Sequence, residues 1–145
     1  MARNITRSMK SSKTELVVFP NPYPERDYVI THANPEFTAV CPVTGLPDFG
    51  EITVVFVPDK LCVELKSLKY YFLGFRNRGI FYEAVVNEIL EDLVAATEPR
   101  WMEVTGEFST RGGLHSTVVA KFTKSEDALP HANRLVVKKL KKAIQ

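Results

Sequence analysis

The 145-residue chain has only two cysteines, Cys41 and Cys62, and three histidines, His32, His115 and His131. Two thiols do not make a disulfide framework at this length. No CxxC, CxxH or HxxxH spacing occurs, so a zinc site would have to be assembled from distant segments, and no catalytic metal is expected. No apolar run is long enough to cross a bilayer. No GxGxxG or Walker A motif is present, which excludes nucleotide sites of the Rossmann and P-loop types. The first residues, MARNITRSMKSSKTE, carry charge but no apolar stretch of signal-peptide kind. The expectation is therefore a reducing, cytoplasmic setting without a membrane partner.

What is present suits one domain spanning 1–145, since a chain of this length can bury a single substantial core. Net charge is only +2, and much of the basic excess sits in KKLKKAIQ. That tail, within 124–145, reads as a solvated helix face rather than a nucleic-acid patch, so no direct nucleic-acid partner is expected. Residues 1–18 read as a flexible segment. FPNPYPERD (19–27) is proline-punctuated and cannot be helical, which puts the start of regular structure near Tyr28.

YVITHANPEFTAVCP reads as an interrupted strand. GEITVVFVPD sets Ile52, Val54 and Phe56 against Thr53, Val55 and Val57, the alternation of a strand between two environments. A hairpin through Pro42–Gly50 joins the two. SLKYYFLGF (67–75) suits a short helix, and residues 79–97 a longer one, with Phe81, Val85, Ile89 and Leu93 at helical spacing. RWMEVTGEFS and LHSTVVAKF alternate again around RGG as a second hairpin. The order is β-β-α-α-β-β: an α+β fold with a four-stranded antiparallel sheet and two helices on one face. The other face and the sheet edges call for partner subunits.

Cys41 lies where the first strand meets a turn, a place from which a side chain reaches a cleft on rigid backbone. It reads either as a nucleophile or as a small buried apolar residue. Asp48, seven positions on, is either a proton donor to an adduct or a turn former. Cys62, in LCVEL, reads as structural.

VELKSLKYYFLGFRNRG (63–79) combines Glu64, Lys66, Lys69, Arg76 and Arg78 with aromatics. It is either a site for a phosphate-bearing cofactor or a solvated amphipathic helix. Glu83 falls in the first turn of the long helix, as a charge favoured there by the helix dipole or as an acceptor for a guanine-like N–H edge. In RGG, Arg111 could meet a phosphate while Gly112 lets it approach the backbone.

Together these stretches resemble the NADPH-dependent 7-cyano-7-deazaguanine reductases, the nitrile reductases of queuosine biosynthesis, in their short single-module form. ELKSLKYY (64–71) carries the most specific likeness, and CPVTGLPDFG, FRNRGIFYE and RGG follow the family's order. The likeness runs from about Phe19 to Phe122.

The resemblance implies a tunnelling fold whose subunits set their sheets side by side in rings, two rings commonly stacking with active sites between subunits. It implies that Cys41 adds to the nitrile carbon to give a thioimide and that Asp48 protonates the nitrogen. It implies two NADPH per turnover as co-substrate, with Leu65, Lys66, Arg111 and Gly112 in contact. Val63, Glu64, Leu65, Tyr82 and Glu83 match the contacts to the 7-deazapurine. Many relatives carry histidine where this chain has Tyr82. A phenol, with its ordinary pKa of about 10, is a poorer proton carrier, and His115 is a possible substitute.

Three other readings share parts of this pattern. GTP cyclohydrolase has histidine three residues after its first metal cysteine, where this chain has Thr44. Amidinotransferase-like relatives keep the Cys and Asp but lack the cofactor motif. The third is a deazapurine- or pterin-binding scaffold without reductase activity.

Overall fold

The computed structural model describes residues 15–125; the basic tail and most of the N-terminal segment expected to be flexible lie outside that range. Among the described residues are six strands and two helices: β1 (Val18–Pro20), β2 (Ile30–Val40), β3 (Pro47–Val57), β4 (Leu61–Val63), α1 (Leu65–Leu73), α2 (Tyr82–Thr97), β5 (Trp101–Arg111) and β6 (Leu114–Thr123). The main sheet runs β2-β3-β5-β6, antiparallel throughout, with β2 and β6 at its edges.

Regular structure begins ten residues before Tyr28, because Val18, Phe19 and Pro20 pair with Val63, Cys62 and Leu61 in a separate two-stranded sheet. Proline removes a donor, so the segment does not look like a strand, but at the end of a short pairing that loss is tolerated. The pairing continues past the strand: Glu64 donates its backbone N–H to the Val17 carbonyl at 2.8 Å. The Val17 N–H in turn donates to Ser67 Oγ at 3.0 Å. Cys62 is buried within β4, consistent with a structural thiol.

The interruption in β2 is a bulge between Asn34 and Phe37. Pro35 cannot donate to the ladder, and Asn34 Oδ1 accepts the Glu36 N–H at 3.1 Å instead, which satisfies the bulged backbone. In β3 the expected alternation holds as far as Phe56: Ile52, Val54 and Phe56 are fully buried while Thr53 and Val55 are half-exposed, but Val57, expected on the second face, is fully buried as well. Each such side chain contributes about 1.5–3 kcal/mol of transfer free energy, which makes β3 the centre of the core.

α2 lies across this face. Val85, Val86, Ile89 and Leu93 are buried, at the spacing expected. Phe81 is not part of that stripe: it is the N-cap, with extended backbone, and is exposed. Helical spacing alone could not tell a first-turn residue from the residue before it.

α1 begins two residues earlier than expected because Glu64 caps it. Its carboxylate accepts the Lys66 and Ser67 N–H groups, both at 2.7 Å, using two of the amides a helix start leaves unpaired. The first hairpin is also tighter than expected. β3 starts at Pro47, so Asp48, Phe49 and Gly50 are strand residues and the turn is confined to 41–46.

Candidate active site

Register puts Cys41 and Asp48 together. Asp48 is paired across the ladder with Ala39, and Cys41 follows Ala39 by two, which in extended chain returns to the same face. The turn is closed by Cys41 N–H donating to the Leu46 carbonyl at 2.8 Å and Gly45 N–H donating to the Cys41 carbonyl at 2.9 Å. Gly45 takes φ +72°, the left-handed conformation that favours glycine.

The same turn tunes the thiol. The Thr44 hydroxyl is the largest cause of a Cys41 pKa below its ordinary value, followed by the N–H groups of Thr44 and Val43; burial and the Asp48 charge act the other way. Donors aimed at sulfur stabilise the thiolate, the nucleophilic form.

Asp48 is 5 % exposed and is held from two sides on one oxygen. Tyr82 O–H donates to Oδ1 at 3.1 Å from the first turn of α2. Arg111 Nη1 donates to the same Oδ1 from the end of β5. Among the described residues no hydrogen bond reaches Oδ2. Partial burial and the bond to Asp48 together push the Tyr82 phenol above its ordinary value, so it orients the carboxylate rather than exchanging protons near neutrality.

Tyr82 is itself fixed by packing. Its ring stacks on Phe108, with centroids 3.8 Å apart and planes within 6°. Phe108 has room because Gly106, two residues before it on β5, has no side chain: a Cβ there would come within 2.8 Å of the Phe108 ring and 2.7 Å of Val86. The start of α2 is laced to the end of β2 by Val40 N–H to the Arg78 carbonyl at 3.0 Å and Ile80 N–H to the Val40 carbonyl at 3.1 Å.

These elements enclose a cleft of about 290 Å³ lined by Cys41, Asp48, Tyr82, Glu83 and Arg111 among others. Five of the residues singled out by sequence therefore converge, from four elements. Glu83 is solvent-exposed within the single chain. Gly112 sits in the β5–β6 turn at φ +58°, with Gly113 at +82° and no atom near either missing side chain. His115 is exposed and does not line the cleft, whereas its neighbours Leu114 and Ser116 do; strand alternation turns it away from the cleft of its own chain.

Val63, Glu64, Leu65 and Lys66 are not brought to Cys41 within one chain. Val63 is buried, and Glu64 caps α1 with its own pKa lowered by the Ser67 and Lys66 amides. Leu65 lines a different, larger groove of about 520 Å³ between β2 and α1, with Phe37, Lys69 and Arg76. That groove shares no residue with the cleft, and the smaller cleft is the one that holds Cys41. Sequence reasoning missed Thr44 and Val43 as thiolate donors and Phe108 as the support for Tyr82. The hairpin registers were the signal that could have found them. Among the described residues no group of three His, Cys, Asp or Glu is placed to hold a metal.

The family model described as QueF-like protein matches residues 47–127. The NADPH-dependent 7-cyano-7-deazaguanine reductase of Chlorobaculum tepidum is 60 % identical over 116 residues, covering 80 % of this chain and 99 % of that protein. The reductase of the same name from Chlorobium phaeovibrioides is 63 % identical over 111 residues, covering 77 % and 96 %. Among solved structures, the archaeosine synthase QueF-Like in its apo form superposes with TM-score 0.62 at 25 % identity, over 67 % of this chain and 95 % of that one. The chain belongs to the QueF-like family, that of the NADPH-dependent 7-cyano-7-deazaguanine reductases.

Proposed function

We propose that this protein reduces 7-cyano-7-deazaguanine to 7-aminomethyl-7-deazaguanine through a covalent thioimide on Cys41. The observation that carries the reading is a thiol with a lowered pKa sharing one cleft with a nearly buried carboxylate.

Cys41 sulfur attacks the nitrile carbon. One C–N π bond breaks, a C–S bond forms, and the nitrogen takes a proton from Asp48, leaving a thioimide. Oδ2, the oxygen with no partner among the described residues, is the one available to the substrate. Glu83, at the cleft wall, accepts from the N–H edge of the deazaguanine. When bound, NADPH supplies hydride, with two molecules needed to take a nitrile to an amine. Between the two reductions the C–S bond breaks and sulfur recovers its electron pair. The donors that favour the Cys41 thiolate assist that departure.

The residues present fit a phosphate-bearing dinucleotide. Arg111 offers a partly exposed guanidinium at the cleft, the two glycines after it leave open backbone, and Lys66 and Lys69 are exposed on α1. The separation of α1 from Cys41 supports a site completed by a second copy of the chain, with residues 63–66 of one subunit facing the cleft of another. The exposed Val43, Leu46, Phe49, Phe81 and Leu114, which lie in and around the Cys41 turn and the cleft, supply an apolar surface for that contact.

A second reading, ammonia addition to the nitrile, is favoured by the fold likeness to the archaeosine synthase. Mixing the protein with the nitrile and NADPH separates the two. Two NADPH oxidised per nitrile consumed is the expected result; covalent adduct without NADPH oxidation would overturn reduction in favour of the second reading.

A further inference from the structure

We infer that Arg111 is a partner-exchanging residue: it grips Asp48 while the cofactor site is empty and lets go of it to bind a cofactor phosphate, so that cofactor binding and release of the acid are one event. The inference rests on the reductase reading above.

The geometry sets up the exchange. Arg111 sits at the last position of β5, beside the open Gly112–Gly113 turn, with its side chain 39 % exposed while that of Asp48 is 7 % exposed. One end of the ion pair is therefore anchored in the protein and the other is at the surface, free to swing. The groups facing Asp48 are Arg111 from β5, Tyr82 from α2 and Cys41 from the turn after β2; Glu83 lines the same cleft. Arg111 is the one cation among them.

Both candidate partners of Arg111 are planar or tetrahedral oxyanions that match a guanidinium fork. An ionised carboxylate only accepts hydrogen bonds, whereas a proton donor must carry the proton. A phosphate that draws Arg111 away leaves Asp48 held by the Tyr82 phenol alone, with no cation on its oxygens. Tyr82, fixed by its stack on Phe108, keeps the carboxyl group in position while the charge partner changes.

Exchange of this kind is a coupling free energy and must show in both directions. The probe is NADP⁺, which carries the phosphates and no hydride, with its dissociation constant measured by calorimetry. Against the unaltered protein, Asp48→Asn is expected to bind NADP⁺ roughly fivefold or more tightly, because Arg111 no longer has to be withdrawn from a carboxylate. Arg111→Ala is expected to bind more weakly, and adding Asp48→Asn to it should change nothing further. Arg111→Gln serves if Arg111→Ala does not fold. Unchanged affinity in Asp48→Asn would overturn the inference. So would equal tightening in both backgrounds, the mark of simple repulsion between Asp48 and phosphate. If the unaltered protein binds no NADP⁺ at all, the reductase reading itself falls, which is a separate outcome.

Discussion

The Cys41 cleft and the start of α1 differ in how they use their polar residues. In the cleft, polar groups point at one another and at open space: Thr44 at sulfur, Tyr82 and Arg111 at a single carboxylate oxygen, with the second oxygen unused. At the start of α1 the polar groups of the most distinctive motif are consumed locally, Glu64 by two amides and Ser67 by the Val17 N–H and the Glu64 carbonyl. A motif can be the best marker of a family while much of its side-chain chemistry is structural. Cys41, the proposed nucleophile, by contrast sits in a turn that looks ordinary.

That contrast predicts different responses to mutation. The largest effect belongs to Cys41→Ala, expected to lower turnover by about a thousandfold or more with the melting transition unchanged. Normal NADPH oxidation by this variant would show that the cleft does not contain the nucleophile. Gly106→Ala comes next. Its methyl group has to displace the Phe108 ring and Val86, which costs about 1–3 kcal/mol in chemical denaturation and loosens the Tyr82 stack, so turnover should fall along with stability.

Glu64→Gln sharpens the other half of the comparison. The folded-state pKa of Glu64 is lowered by amide donors from its ordinary 4.5. Its contribution is therefore present above the unfolded-state value and lost as pH falls through the folded one. The stability gap between the unaltered protein and the variant should be open at neutral pH and close below the usual glutamate range. A gap that persists in acid would mean that the cap acts through something other than charge. The smallest effect is expected of Thr44→Val: with the hydroxyl gone, the pH profile of Cys41 alkylation by iodoacetamide should move upward while the backbone donors remain. An unmoved profile would remove Thr44 from the account.

Period-two and helical spacing were enough to place β3, α2, β5 and β6; the first three bury one face and show it in the residue pattern, while β6 alternates in sequence though only Ala120 in it is buried. The β1–β4 pairing was not legible. It is three residues long, ends in proline, and depends on Leu61–Val63, 41 to 45 positions away. At the site, Cys41 and Asp48 could be named, but their place on one face depends on the Ala39–Asp48 register, which the turn at 41–46 fixes. Arg111 could be read as a phosphate ligand from RGG. Its bond to Asp48 could not be foreseen, since nothing local to either residue signals a contact across sixty-three positions. The position of His115 depended on strand parity, which Leu114 and Ser116 settle.

The central claim is that Cys41 forms a covalent bond with a nitrile carbon, and the intact mass of the protein after incubation with 7-cyano-7-deazaguanine alone tests it most directly. The account predicts one substrate mass added per chain in the unaltered protein and none in Cys41→Ala. An unshifted mass in the unaltered protein, or an equal shift in both, would contradict it.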